Sequence, residues 1–186
     1  SHFKTQQQAL HLAETILGSQ HRPTALTLLS AGASNKIALE PSSFVLAIRC
    51  EGSKAVLSRM QGDINSWAQA ENAHHIGVLE GEALESLWRR VADFSQVAEL
   101  GAREAVIKIA AQPSELGSAL DTIENTCNFL QLQPDFIAHP GFGVIIARIQ
   151  AGERMRHTFA HALALAQQKW LAQFPNTIVM GVRPEH

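Results

Sequence analysis

Residues 104–150 read EAVIKIAAQPSELGSALDTIENTCNFLQLQPDFIAHPGFGVIIARIQ, and their periodicity decides the fold. Glu104 to Ala111 reads as a strand. From Ser114 to Leu132 the apolar residues Leu116, Leu120, Ile123, Cys127 and Leu130 recur at intervals of three or four, which gives a helix with one buried face. Asp135 to Ala138 and Gly143 to Gln150 then read as two strands joined by the turn His139-Pro140-Gly141-Phe142. A long Ala-rich helix from Met155 to Phe174 and a short strand from Thr177 to Met180 complete the cycle.

Working backwards, the same alternation recurs. Phe44 to Glu51 has strand alternation and ends at Gly52. Ser53 to Ala70 has helical spacing through Val56, Met60, Ile64 and Trp67. His75 to Leu79 is a short apolar strand, and Glu82 to Phe94 is an amphipathic helix through Leu84, Leu87, Trp88 and Val91. Before these, residues 5–18 read as a helix ending near Gly18, and Pro23 opens a shorter helical stretch to Leu29. Ala31 to Ser43 is loop-like, rich in Gly, Ser and Asn. Each strand–helix–strand run is half of a split βαβ, and two of them predict duplicated ferredoxin-like units. The expected fold is α+β: a mostly antiparallel sheet with helices on one face. Residues 1–33 are expected as a helical segment packed on one compact domain of residues 34–186.

Composition narrows the function classes. The chain has 186 residues, 46% apolar and 17% charged, which is enough for one real core. A net charge of -2, a pI near 6.5 and scattered Lys and Arg residues argue against nucleic acid as a partner. The two cysteines, Cys50 and Cys127, are too far apart for a metal knuckle and too few for a disulfide framework. They fit a reduced, cytoplasmic setting. No apolar run reaches the roughly 20 residues of a membrane span, and no signal peptide is visible. The start at Ser1-His2-Phe3, without an initiator methionine, is what a processed or artificial boundary looks like.

The chain has no P-loop, no dinucleotide G-x-G-x-x-G, no G-x-S-x-G and no Cys-x-x-Cys. His157 and His161 are one helical turn apart, but the adjacent Glu of H-E-x-x-H and a third ligand are missing, so no metal is expected. His74 and His75 are neighbours on a strand and point to opposite faces. At the turn, Gly141 and Gly143 permit close backbone approach or positive φ. It reads equally as a plain hairpin or as a place where backbone amides meet a ligand. Three strands each carry one cation within an apolar run: Arg49, Lys108 and Arg148. Alternation sets Val45 and Ala47 with Arg49, Val106 with Lys108, and Val144 and Ile146 with Arg148, on the face away from the helices. There the cations are either solvated residues or ligands of an anionic substrate or flavin-site group, a guanidinium being suited to a carboxylate.

Several segments in order resemble FAD-linked oxidases of the vanillyl-alcohol-oxidase type. They are Pro23-Thr24-Ala25-Leu26, the strand ending in Glu51-Gly52, Leu87-Trp88-Arg89-Arg90-Val91-Ala92-Asp93-Phe94, and His139-Pro140-Gly141-Phe142-Gly143-Val144. The resemblance covers most of residues 22–180 and is strongest to the smaller flavin-type subunit of bacterial glycolate oxidase. It implies the C-terminal cap domain, whose sheet covers the isoalloxazine ring, with FAD held in a separate domain that this chain lacks. It also implies oxidation of a small 2-hydroxy acid such as glycolate, a paralogous flavin subunit and an iron–sulfur subunit as partners, and membrane association only through them. The site residues it implies are Arg49, Lys108, Arg148, His139, Gly141 and Gly143. Relatives with a His-x-Gly-Asp-Gly-x-x-His segment carry an acid where Phe142 stands here, and a second His near Ala147 or Arg148. Trp88 reads as core packing. The alternative expectation is a stand-alone ferredoxin-like module that binds a small molecule or regulates.

Overall fold

The computed structural model describes residues 1–37, 39, 44–153 and 158–183. The fold is α+β, and the chain divides into two compact units. The first holds Ser1–Val91 with Ala138–Gly141. The second holds Ala92–Ile137 and the described residues from Phe142 on.

In the first unit, β1 (His2–Phe3) leads into α1 (Gln6–Gly18). Thr5 caps this helix in a reciprocal box: the Gln8 amide donates to Thr5 Oγ1 (3.3 Å) and the Thr5 amide to Gln8 Oε1 (3.3 Å). The chain then forms β2 (Ala25–Leu29), α2 (Ala31–Lys36), β3 (Phe44–Arg49), α3 (Lys54–Ala70) and most of α4 (Gly81–Asp93). β3 lies between β1 and β2 and is antiparallel to both, so β1 and β2 run parallel with α1 as their crossover. On the far side of β1 stands a single antiparallel bridge, His2 to His75.

The second unit is a complete βαββαβ. It comprises β4 (Glu104–Ala110), α5 (Leu116–Leu130), β5 (Leu132–His139), β6 (Val144–Ala151), α6 (Phe159–Gln173) and β7 (Asn176–Arg183). The strand order is β5-β6-β4-β7, with β6 and β7 both antiparallel to β4. One face presents Ala105, Ile107, Ile109, Ile145, Ala147 and Ile149, all buried, to a core with Leu120, Ile123, Phe159 and Trp170 of α5 and α6. This is the ferredoxin-like arrangement. The first unit repeats it with the last strand reduced to the bridge at His75.

Several expectations need correction. Pro23 to Leu29 is not helical, because Ala25–Leu29 is β2. A five-residue run of one Ala, three Leu and one Thr is ambiguous on its own, and pairing with β3 overrides the helix propensity of Ala and Leu. The boundary at residue 33 has no counterpart, since residues before it supply two of the strands that flank β3. The loop-like Gly-Ser-Asn stretch contains α2, capped by the Ser30 hydroxyl, which accepts from the Ala33 amide (3.2 Å). His75 to Leu79 is not a full strand: among the described residues it pairs only through the antiparallel bridge of His75 with His2. His157 and the start of the helix expected from Met155 lie outside the described residues.

Candidate functional site

The three strand cations have different environments. Arg49, in the first unit, is half-buried and ion-paired. Its Nε donates to Glu51 Oε1 (3.1 Å) and its Nη2 to Glu85 Oε1 of α4 (3.1 Å). Arg148 shares a face with Lys108, as alternation requires, but it is buried rather than open. Its guanidinium forks onto Glu104, Nε to Oε1 at 2.9 Å and Nη2 to Oε2 at 3.2 Å. Gln150 Nε2 (2.9 Å) and the Gly101 amide (2.7 Å) also donate to that carboxylate. A strap from Phe94 to Gly101 lies over this end of the sheet. Arg148 Nη1 donates to the Phe94 carbonyl (3.4 Å) and Arg183 Nη1 to the Leu100 carbonyl. Val97 fits against Gly181, where any Cβ would collide with its side chain.

Beyond the strap the face is open. Lys108 sits there between Ile146 of β6 and Ile178 of β7, its partners across the two ladders. Lys108 is exposed and has no carboxylate partner among the described residues, and Ile178 is 58% exposed. A cation flanked by aliphatic surface can hold an anionic group while the isoleucines cover something flat and apolar.

The turn residues divide similarly. His139 Nδ1 hydrogen-bonds Thr27 Oγ1 of β2 (3.2 Å). Gly143 has φ +65°, and a Cβ there would collide with the carbonyl oxygen of Ala111, whose amide donates to the Gly143 carbonyl (2.9 Å). Its glycine requirement is therefore structural. A Cβ at Gly141 would meet only Leu17 at 3.5 Å, an ordinary contact. Phe142 is 81% exposed.

The sequence reading missed three features. Glu104 and Glu85 are the counter-ions of two of the cations. Glu104 was accessible to inspection, since it has the same parity as Lys108 on the same strand. The second is His21, only 4% exposed, whose Nε2 lies 2.8 Å from Asp63 Oδ2 and whose ring packs beside Trp67 (5.5 Å between centroids). It ties the α1–β2 connection to α3. The third is a cavity of about 620 Å³ in the first unit, beside β3 and residues 75–81 and walled by α3 and α4. Trp88, expected as core packing, lines it, and its Nε1 has no hydrogen-bond partner among the described residues.

Burial pushes the Cys127 thiol up to about 12, with nearby Glu124 adding to the shift, and raises Cys50 as well. Both thiols are therefore protonated at neutral pH and poor nucleophiles. Among the described residues, no cluster of three or more His, Cys, Asp or Glu side chains is placed to hold a metal ion. His2 packs edge-on against His74 and His75, at 6.1 and 4.9 Å between ring centroids. No helix among the described residues is long and apolar enough to cross a membrane. No protein-family model matches the chain, and no curated protein matches it as a relative.

Proposed function

We propose that this chain is the substrate-side cap of an FAD-dependent oxidoreductase that oxidises a small 2-hydroxy acid, as glycolate oxidase does. One observation carries the reading: Lys108 is an exposed cation without a carboxylate partner among the described residues, framed by Ile146 and Ile178 on the face of a ferredoxin-like sheet opposite α5 and α6. That face suits a flat, partly apolar ring beside a carboxylate. The aliphatic flanks cover the ring and exclude water, and the ammonium attracts the acid. FAD supplies the hydride-accepting chemistry and resides on the flavin-bearing part of the enzyme. The chain's own contribution is to orient the substrate anion. Arg49 and Arg148 are already neutralised by carboxylates, so Lys108 is the substrate-facing cation. Arg148 instead anchors the strap that bounds the open face.

The test is a flavin spectrum and a dye-linked turnover assay on the native protein. Bound flavin and glycolate-dependent dye reduction are expected. Lys108→Gln should raise KM for glycolate roughly ten- to hundred-fold, the loss typical of one charged hydrogen bond. A native protein with no flavin, or one whose flavin no 2-hydroxy acid reduces, overturns the reading.

A further inference from the structure

Around Lys108 the second unit's sheet forms a small grid whose layout follows from ladder register. On the face opposite α5 and α6, Lys108 of β4 stands across from Ile146 of β6 and Ile178 of β7. Two residues along β4, Ala110 stands across from Val144 and Asn176. The intervening partners Ile109 and Thr177 are both buried, so Asn176 and Lys108 share the outer face. The register shift between β4 and β7 falls between Val106 and Ile107 and leaves this end of the ladder regular.

Toward the start of β4 the grid is closed. Val106 is buried, Arg148 is held by Glu104, and Val97 of the strap fills the place that a side chain at Gly181 would take. Toward the end of β4 it is open. Asn176 is exposed there, and its carboxamide makes no hydrogen bond among the described residues. The other open positions around Lys108 are aliphatic, so Asn176 is the polar group within its reach that nothing in the described fold engages.

Diagonal neighbours on an antiparallel ladder lie about 7–8 Å apart, close enough for long side chains to meet one small ligand. An ammonium takes a charged oxygen. A carboxamide carries both a donor and an acceptor and no charge, so it suits a hydroxyl. Together the two side chains match a molecule with one carboxylate and, one carbon away, one neutral polar group. A second carboxylate would meet no further cation on this open part of the face, because Arg148 is already neutralised by Glu104.

Resting on the functional reading above, we propose that Asn176 is a specificity-determining residue. Its carboxamide hydrogen-bonds the 2-hydroxyl of an acid whose carboxylate lies on Lys108, so the site selects 2-hydroxy monocarboxylates over acids that lack the hydroxyl. Glycolate and acetate carry the same charge and differ by that hydroxyl, so the ratio of their affinities isolates the contact. Each acid is titrated into the native protein and into its Asn176→Ala and Asn176→Asp variants, and the Lys108 backbone amide resonance is followed. Glycolate should bind roughly three- to tenfold more tightly than acetate, the worth of one neutral hydrogen bond. Asn176→Ala should bring the two acids to equal affinity by weakening glycolate alone. Asn176→Asp should weaken both about threefold or more, because the new carboxylate competes for Lys108. Asn176 is exposed, so both variants should keep the far-UV circular dichroism of the unsubstituted protein.

Equal affinities in the unsubstituted protein, a preference for glycolate that survives Asn176→Ala, or no binding of either acid each overturns the assignment. The titration needs no turnover, which separates it from the oxidase reading. A native protein without flavin whose glycolate preference is lost in Asn176→Ala would sink that reading and leave Asn176 as a hydroxy-acid contact. Flavin reduction by glycolate, with the preference intact in Asn176→Ala, would sink the assignment and leave the reading.

Discussion

Arg148 and Glu104 have both been taken out of water and answer for each other: the carboxylate accepts two bonds from the guanidinium, one from Gln150 and one from the Gly101 amide. Removing one partner leaves a buried charge, which costs about 3–5 kcal/mol. Arg148→Met should therefore lower stability by roughly that amount in urea unfolding, and adding Glu104→Leu should recover most of the loss. If the single variant unfolds at the wild-type midpoint, the pair is not the anchor described here. Strand parity made Arg148's face legible in the sequence but not its burial. The cover comes from residues 94–101, which show no hydrophobic period to announce that they cross a sheet. Cys127 makes a second prediction. Its thiol rises from an ordinary 9.0 to about 12 in the fold, so above pH 9 the unfolded chain releases a proton that the native chain keeps. Stability should be full below pH 9 and fall by roughly 1 kcal/mol per pH unit toward pH 12. Unfolding midpoints of Cys127→Ala should lack that share of the alkaline slope.

Among the elements, those with a full period and a neighbour of their own were readable. The helices α3, α4 and α5 and the strands β3, β4 and β6 lie within a few residues of where spacing puts them. The elements that failed depend on context. β2 is a short run of Ala and Leu around Thr27 whose identity is set by the edge of β3, and α2 depends on one hydroxyl, that of Ser30. The turn at Gly143 fixes how β6 leaves the β4–α5 connection. Gly143→Ala combines a left-handed φ of +65° with a collision against the Ala111 carbonyl and should cost about 2 kcal/mol or more, measured by thermal unfolding. Gly141→Ala, with only an ordinary contact to Leu17, should change stability by less than about 0.5 kcal/mol. Equal losses at the two glycines would contradict the structural reading of this turn.

At the scale of the whole molecule, the duplication was legible because a βαββαβ pattern announces itself twice in one chain, the second time in full. The division into two units near Val91 was not, because α4 runs through it without a break in amphipathic spacing. The cavity was invisible for a related reason. It lies where the first unit's last strand shrinks to a bridge, and sequence periodicity gives no measure of how much of a strand is paired. The cation proposed to meet the substrate, Lys108, lies on the face of the second unit's sheet opposite α5 and α6, and the most direct test is an anaerobic titration of the native flavoprotein with glycolate. The account predicts that glycolate bleaches the flavin, and that Lys108→Gln needs roughly ten- to hundred-fold more glycolate for half-bleaching. Half-bleaching at the same glycolate concentration in both proteins, or a flavin that glycolate does not bleach, would contradict it.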